Sequence, residues 1–307
     1  MSVARKSLAI VTSVSLAFGL VACNRDSAGE GSVTLALSTQ TNPFFVQLRD
    51  GAQAKADELG INLNIQDASD DASTQINQLN NAATSGTDVV IVNPTDSDAV
   101  VPAVEALNNA DIPVVAVDRS SNGGEVASFI ASDNVAGGRQ AADALAAAIG
   151  EEGEVIVLQG IAGSSASRDR GQGFNEGIAA YPNINVVATQ TAGFDRTRGL
   201  DVASNLLQAH PNVKAIFAEN DEMALGALEA LGARAGEDVM VVGFDGTDDG
   251  LAAVKDGRMV ATIAQQPGEL GAQAVEQAKK ILDDQTPDSE VPVEVVTVTR
   301  ENVGDFE

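Results

Sequence analysis

Short apolar runs alternate with longer amphipathic stretches along the chain from Val33 onward. Apolar runs of roughly four to eight residues rich in valine and isoleucine are typical of buried strands, whereas three- and four-residue apolar spacing predicts helices. This alternation predicts an α/β fold with parallel strands. Strands are predicted at 33–38, 61–67, 88–92, 114–117, 126–131, 154–158, 186–191, 215–218, 239–242, 261–264 and 294–298, and helices at 44–59, 72–85, 98–109, 135–149, 168–180, 196–210, 222–231, 248–255 and 269–283.

One strand-and-helix pattern occurs twice in the chain. An apolar run ending at Asn93 is followed by another ending at Asp118, and the pair returns at Asn220 and Asp245, where 220 − 93 and 245 − 118 both equal 127. Each copy is typical of a β-α-β unit. Ligands bind at the carboxyl ends of strands in open parallel sheets, so two facing copies would present four polar side chains to a ligand held between them.

Three strand-like runs pass into polar or proline-containing sequence where the chain could cross between two domains: 128–133, 261–266 and 291–296. We therefore predict two doubly wound parallel-sheet, Rossmann-like domains joined by a three-strand hinge. The N-terminal lobe would comprise 33–132 and 266–293, and the C-terminal lobe 133–265 and 294–307. A hinge of several parallel connections bends along one axis, as closure around a ligand requires.

The length of the chain indicates how many domains it can form, and its net charge excludes one class of partner. A chain of 307 residues with 44% apolar residues can form two domains, each with its own core. Its 44 acidic and 18 basic residues give a formal charge of −26. This charge opposes attraction to phosphate backbones and anionic lipids, so we expect no nucleic-acid partner.

The first 23 residues have the layout of an export signal. Arg5 and Lys6 precede an apolar run, 8–20, that is too short to span a membrane comfortably. The end of this segment, Leu20-Val-Ala-Cys23, resembles a bacterial lipobox, which implies cleavage before Cys23 and lipidation of its thiol. The alternative is a signal with an incidental cysteine. Residues 24–32 are predicted to form a flexible tether, which would place the protein outside the cytoplasmic membrane on a lipid anchor.

Polar and aromatic side chains gather at or just beyond the carboxyl ends of the predicted strands. A sugar presents apolar C–H faces and a rim of hydroxyl groups that both donate and accept, so aromatic rings, amides, carboxylates and guanidinium groups suit it. Each residue alone could equally be a core aromatic, a turn former, a helix cap or a surface charge. The candidates are Ser38, Asn42, Phe44, Phe45, Asn93, Asp118, Arg119, Arg170, Phe194, Asn220, Phe244, Asp245 and Gln265.

Eight motifs between about Val33 and Val298 resemble the sugar-binding family of periplasmic binding proteins, most closely its D-ribose-binding members from ABC transporters. They are Asn42-Pro-Phe-Phe45, Asn93-Pro-Thr-Asp-Ser-Asp98, Ile130-Ala-Ser-Asp-Asn134, Leu158-Gln-Gly-Ile-Ala-Gly163, Arg170-Gly-Gln-Gly-Phe174, Asn220-Asp-Glu-Met-Ala-Leu-Gly226, Val242-Gly-Phe-Asp-Gly-Thr247 and Ala261-Thr-Ile-Ala-Gln265. The lipobox is the one clear departure.

The resemblance implies a role for each candidate. Phe44, Phe45 and Phe194 would flank the sugar ring. Hydroxyl groups would be held by Asp118, Arg119, Arg170, Asn220, Asp245 and Gln265. The pocket would be completed by Ser38, Asn42, Asn93 and Phe244.

The resemblance also implies an extracytoplasmic receptor that captures a monosaccharide by hinge closure and delivers it to an ABC permease. D-ribose is the favoured ligand. The alternative ligands are another pentose or hexose and an autoinducer-2 type furanose. The alternative role is that of a ligand carrier for a chemoreceptor. We expect a monomer that needs no cofactor and no metal.

Two other classes of protein fit the sequence less well. An enzyme is not expected, because the lone His210 ends a predicted helix and no nucleophile elbow, metal-ligand cluster or phosphate-binding turn follows a strand. The effector domain of a sugar-responsive repressor would need a basic helix-turn-helix where this chain has an export signal and a tether.

Overall fold

A computed structural model describes residues 31–306, in which the strands form two six-stranded sheets. The first sheet has the order β11-β5-β4-β3-β1-β2, and all its strands are parallel. The second has the order β12-β10-β9-β8-β6-β7 and is parallel except for β12. The strands are β1 (Ser32–Leu37), β2 (Asn62–Asp67), β3 (Val89–Val92), β4 (Val114–Val117), β5 (Ser128–Ser132), β6 (Glu152–Gln159), β7 (Asn183–Thr191), β8 (Val213–Ala218), β9 (Met240–Asp245), β10 (Ala261–Ala264), β11 (Glu290–Val293) and β12 (Val296–Thr299).

Helices cover both faces of each sheet, which explains why the inner strands are apolar at every position. All four residues of β3 and all four of β4 are fully buried. The helices are α1 (Pro43–Leu59), α2 (Ala72–Ala82), α3 (Val101–Asn109), α4 (Asn134–Ile149), α5 (Ser165–Ile178), α6 (Arg196–Ala209), α7 (Asp221–Leu231), α8 (Asp248–Lys255) and α9 (Pro267–Leu282). No helix in this part of the chain is long and apolar enough to span a membrane.

The predicted fold class is confirmed, with corrections at three elements. The strand predicted at 294–298 corresponds to β12, but a further strand before it was missed: the chain forms β11 in the first sheet, leaves it after Val293, and forms β12 in the second. β12 runs antiparallel to β10, so the second sheet is not wholly parallel. The helix predicted from residue 98 begins at Val101, because Asp96 accepts the backbone N–H groups of Asp98 and Ala99 and holds a turn there.

The main chain passes between the two sheets three times, after β5, after β10 and after β11. We propose that the lobes have the predicted boundaries, 33–132 with 266–293 and 133–265 with 294–307. Sheet membership supports this division, because β11 joins the first sheet while β12 joins the second. We call the two units the N-terminal lobe and the C-terminal lobe. The signal segment and residues 24–30 of the predicted tether, with the predicted lipidation site Cys23, lie outside the described residues.

Glycine residues let α4 and α5 pack closely in the C-terminal lobe. A methyl group at Gly138 would overlap the backbone oxygen of Arg170, and one at Gly173 would overlap the backbone oxygen of Val135. Backbone atoms cannot move aside as a flexible side chain can, so the close approach of the two helices depends on these glycines. Arg170 lies on α5, and its backbone oxygen is the atom that a methyl group at Gly138 would overlap.

Gly173→Ala should destabilise the fold by about 1–3 kcal/mol, because the added methyl group forces α5 away from α4. Urea denaturation followed by circular dichroism measures the change. Gly304→Ala is the matched control, since nothing lies within 4 Å of the added methyl group there. Its unfolding free energy should stay within about 0.5 kcal/mol of the unsubstituted protein. Equal stability of the two variants would contradict the packing argument.

Candidate functional site

The carboxyl ends of the two sheets face each other across a cleft that contains a small, tightly enclosed cavity. Its walls come from both lobes. They consist of Asn42, Phe44, Phe45, Asp118, Arg119, Ala166, Arg170, Phe194, Asn220 and Asp245. All except Ala166 are residues that the sequence predicts for the site. Of the remaining predicted residues, Asn93, Phe244 and Gln265 contact members of this wall, and Ser38 contacts Asn93.

The N-terminal lobe contributes a buried chain of hydrogen bonds that ends at Asp118. The Ser38 hydroxyl group donates to Asn93 Oδ1 at 2.6 Å, and Asn93 Nδ2 donates to Asp118 Oδ2 at 3.1 Å. Arg119 Nε lies 3.5 Å from the same carboxylate oxygen, and Arg119 Nη1 donates to the Pro94 backbone oxygen at 3.1 Å. Asn93 therefore orients Asp118 rather than lining the cavity itself.

The C-terminal lobe contributes a second buried charge pair. Arg170 Nη1 lies 3.4 Å from Asp245 Oδ1, and Gln265 Nε2 donates to that oxygen at 2.7 Å. Arg170 Nε donates to Asn134 Oδ1 at 2.8 Å, while the Phe244 ring lies under the guanidinium group, 3.9 Å from its Cζ. Phe244 is thus a platform for Arg170, and its ring is fully buried.

Aromatic rings lie close to both guanidinium groups. The Cζ of Arg119 is 5.1 Å from the centre of the Phe45 ring and 5.6 Å from that of Phe194. The Cζ of Arg170 is 5.8 Å from the Phe194 ring. Phe194 thus lies within cation–π distance of one arginine from each lobe. Phe44 packs edge-on against Phe45, with the ring planes at 87°.

Three wall residues have positive φ angles, which side chains other than glycine rarely adopt. The values are 64° at Asp118, 61° at Phe194 and 120° at Asp245. Such conformations persist where the surrounding structure holds them, and they cluster at ligand sites. The side chains of all three residues line the cavity.

Burial and pairing act against each other on the site carboxyl groups. Burial raises the pKa of Asp118, and the charges of Arg119 and Arg170 oppose that rise. Burial likewise raises the pKa of Asp245, with Arg170 opposing it. Two arginines and two aspartates in one cavity compensate each other's charge, which isolated buried ions could not do.

Several buried polar atoms at the cavity have no hydrogen-bond partner within the protein. They include Asp118 Oδ1 and Gln265 Oε1, which accept, and Asn220 Nδ2, which donates. Asn220 uses its other side-chain atom, Oδ1, to accept the Met223 N–H at 3.0 Å and cap α7. Unpaired buried polar atoms are rare and call for a partner. Acceptors and donors side by side match a ligand whose hydroxyl groups both donate and accept.

Residues 33–286 match the family model of the periplasmic binding protein domain. The chain belongs to the periplasmic binding protein family. The family predicted from the motifs is thereby confirmed. Among the described residues of this periplasmic binding protein, no group of three or more histidine, cysteine, aspartate or glutamate side chains could hold a metal ion.

Curated relatives match this binding protein over most of its length. The ribose import binding protein of Salmonella typhimurium is 49% identical over 296 residues, which cover 96% of this chain and 99% of the relative. That of Bacillus subtilis is 43% identical over 289 residues, covering 91% of this chain and 93% of the relative. These relatives carry the names of solute-binding proteins rather than enzymes.

Solved structures show the same arrangement of the two lobes. The myo-inositol binding protein of Caulobacter, bound to myo-inositol, superposes with a TM-score of 0.86 at 36% identity, covering 91% of this chain and 96% of that one. A solute-binding protein of Actinobacillus succinogenes with bound D-allose gives a TM-score of 0.85 at 33% identity, covering 90% of this chain and 100% of that one.

Three residues of this binding protein's site escaped the sequence prediction. Ala166 lines the cavity, Asn134 accepts from Arg170, and Glu219 accepts from Arg170 through its backbone oxygen at 2.7 Å. Asn134 directly follows the first predicted hinge run, 128–133, and Glu219 directly precedes the predicted site residue Asn220. Ala166 carries no polar or aromatic group, so composition alone offered no signal for it.

Proposed function

We propose that this protein is an extracytoplasmic solute-binding protein that captures a monosaccharide, with D-ribose favoured, and delivers it to an ABC permease. The cavity between the lobes carries this proposal. It combines aromatic rings, two charge pairs and unpaired hydrogen-bonding atoms, all suited to a small polyol. The curated ribose import binding proteins support ribose over other sugars.

Each candidate residue has a role in this proposal. Phe44, Phe45 and Phe194 flank the sugar ring, and Asp118 and Asp245 accept from its hydroxyl groups. Arg119 and Arg170 donate to ring and hydroxyl oxygens, forming charge-assisted hydrogen bonds. Asn42, Asn220 and Gln265 complete the rim of the pocket. Ser38, Asn93 and Phe244 hold the others in place.

Closure of the hinge is the proposed capture step. Three hydrogen bonds connect the lobes at the rim of the cleft, away from the main-chain crossings: Ser97 N to the Gly163 backbone oxygen at 3.0 Å, Ser120 N to Ser165 Oγ at 2.9 Å, and Arg168 Nη2 to Asn122 Oδ1 at 3.3 Å. These contacts can form only when the lobes have come together. A ligand that contacts both lobes favours the closed form, because only that form offers all the contacts at once.

The membrane anchor, the monomeric state and the docking partner are proposed from the sequence. We propose that cleavage before Cys23 removes residues 1–22 and that the Cys23 thiol is then lipidated, which anchors a monomeric protein to the cell membrane through lipid alone. Surface carboxylates near the cleft rim would dock the closed form on the permease, and a chemoreceptor is the alternative acceptor. We expect no enzymatic turnover, because each site carboxylate is held by an arginine and an amide rather than set beside a nucleophile.

The choice of sugar is tested by a thermal-shift screen over pentoses and hexoses. Ribose should raise the melting temperature most, because at equal concentration a ligand that binds only the folded state stabilises it more the lower its dissociation constant. D-allose, galactose, xylose and myo-inositol belong in the screen, since two solved relatives hold allose and myo-inositol. A larger shift with any of these would replace ribose as the ligand, and no shift with any sugar would remove the proposed function.

Arg170→Ala should weaken ribose binding by roughly 10- to 100-fold, since a charge-assisted hydrogen bond worth about 1.5–3 kcal/mol is lost. Isothermal titration calorimetry measures the affinity. Arg139→Ala is the control, because Arg139 lies on the exposed face of α4 in an ion pair with Glu176. That variant should bind as the unsubstituted protein does. Unchanged affinity in Arg170→Ala would show that the site assignment is wrong.

Small-angle X-ray scattering tests closure. Saturating ribose should reduce the radius of gyration, because the sugar-bound protein populates the form with the rim hydrogen bonds made. Ser165→Ala removes one of these bonds while leaving the cavity walls in place. It should shift the sugar-free population toward the open form. A radius that does not respond to ribose would argue against the hinge mechanism.

A further inference from the structure

One buried carboxyl group beside the cavity has no part in the charge pairs described above. Glu219 follows β8 directly, and its side chain is fully buried. At the matching position of the repeat, 219 − 127 = 92, the N-terminal lobe has the equally buried Val92. An apolar side chain therefore satisfies the fold at this point, and the carboxyl group of the C-terminal lobe calls for another explanation.

The Glu219 side chain joins two segments that form the cavity wall. Its Oε2 accepts the backbone N–H of Gly160 at 2.7 Å and also accepts a short hydrogen bond from the Ser167 hydroxyl group. Gly160 lies in the loop after β6, and Ser167 lies in the first turn of α5. One carboxyl group thus holds the loop and the helix start against the end of β8.

Both segments position residues proposed to contact the sugar. A methyl group at Gly160 would overlap the Phe194 ring, so the loop backbone supports that ring directly. Ser167 precedes Arg170 by one helical turn, and Arg170 also donates to the Glu219 backbone oxygen. Glu219 therefore lies between the supports of Phe194 and Arg170, and its own chain neighbour is Asn220.

We propose that Glu219 is a positioning residue of the sugar site, whose carboxyl group fixes the loop after β6 and the start of α5 and thereby Phe194 and Arg170. This role rests on the proposed sugar-binding function. It deepens that function by linking sugar capture to the protonation state of a group that the sugar does not touch.

Burial disfavours the charged form of Glu219 in the closed site. Glu219 Oε1 is buried and has no hydrogen-bond partner, so a charge shared over the two oxygens is poorly compensated there. Burial raises the pKa of Glu219 to about 7, against the lowering effects of Ser167, Gly160 and Arg170. The segment that encloses the carboxyl group also makes the rim contacts to the N-terminal lobe, through Gly163 and Ser165. We therefore expect closure to hold this segment over Glu219 and to favour the protonated form.

The sign of the pH effect follows from this. If closure raises the pKa of Glu219, sugar binding takes up a proton, and affinity is highest below pH 7 and falls as the pH rises through the pKa. Other charged groups on the surrounding elements also influence affinity. They are Arg168, Asp169 and Arg170 on α5, Asp221 at the start of α7 and Asp245 at the end of β9.

The experiment compares Glu219→Gln and Glu219→Leu with the unsubstituted protein by ribose calorimetry between pH 5.5 and 8.5. Glutamine keeps an acceptor for Gly160 and cannot ionise, so its affinity at pH 6 should match that of the unsubstituted protein. Leucine fills the volume but accepts nothing, and should bind ribose roughly tenfold more weakly or worse at pH 6. Glu229→Gln, on the exposed face of α7, should change neither affinity nor pH profile.

The effect of Glu219 ionisation is measured by the ratio of the dissociation constant of the unsubstituted protein to that of Glu219→Gln. Titration of Asp221 and Asp245 affects both proteins and cancels in this ratio. This ratio should rise several-fold, up to roughly tenfold, between pH 6 and pH 8.5. A ratio that stays constant, or a Glu219→Leu variant that binds as tightly as the unsubstituted protein, overturns the proposal.

A readout without sugar separates this proposal from the proposed function. The Gly160 N–H should be protected from hydrogen exchange in the unsubstituted protein and in Glu219→Gln. In Glu219→Leu its exchange should be faster by roughly tenfold or more. If no sugar binds but this pattern holds, the function fails while the positioning role stands. Equal protection in all three proteins overturns the positioning role whatever the ligand proves to be.

Discussion

Four buried charges that must compensate one another are the constraint on which this structure depends. Asp118 and Arg119 come from one lobe, and Arg170 and Asp245 from the other, and each aspartate has a guanidinium group and an amide beside it. Removing such charges from water is costly unless partners are supplied. The supporting features follow from that cost: the Ser38–Asn93 chain behind Asp118, the Phe244 ring under Arg170, and the close packing of α4 on α5.

The repeated β-α-β unit explains both the symmetry of the site and its limits. Asn93 and Asn220 occupy equivalent positions, yet Asn93 orients a carboxylate while Asn220 caps a helix and leaves its Nδ2 unpaired at the cavity. Val92 and Glu219 are equivalent as well, but only the latter has an ionisable side chain. The two lobes thus share a backbone plan while differing in which residue contacts the cleft and which supports it.

Much of this architecture could be predicted from the sequence, because parallel strands buried on both faces leave continuous apolar runs and the repeat fixes where polar residues recur. The predicted site residues do lie together, since the strand ends they follow converge at one cleft. The sequence could not distinguish wall residues such as Asn220 from supports such as Asn93, because that depends on side-chain direction. It predicted a crossing at 291–296 but not that separate strands, β11 and β12, flank it, because 291–298 is one valine-rich run although the chain changes sheets within it. Ala166 gave no chemical signal at all.

The three crossings of the main chain carry a consequence for how the protein is made. α9 packs on α1, and β11 completes the edge of the first sheet beside β5, yet both are synthesised after all but the last strand of the second sheet. The first sheet therefore keeps an unpaired edge and an uncovered apolar face until nearly the whole chain has emerged. Such a chain remains incompletely folded during most of its translation, which is the condition in which an unfolded polypeptide can be threaded through a translocation channel.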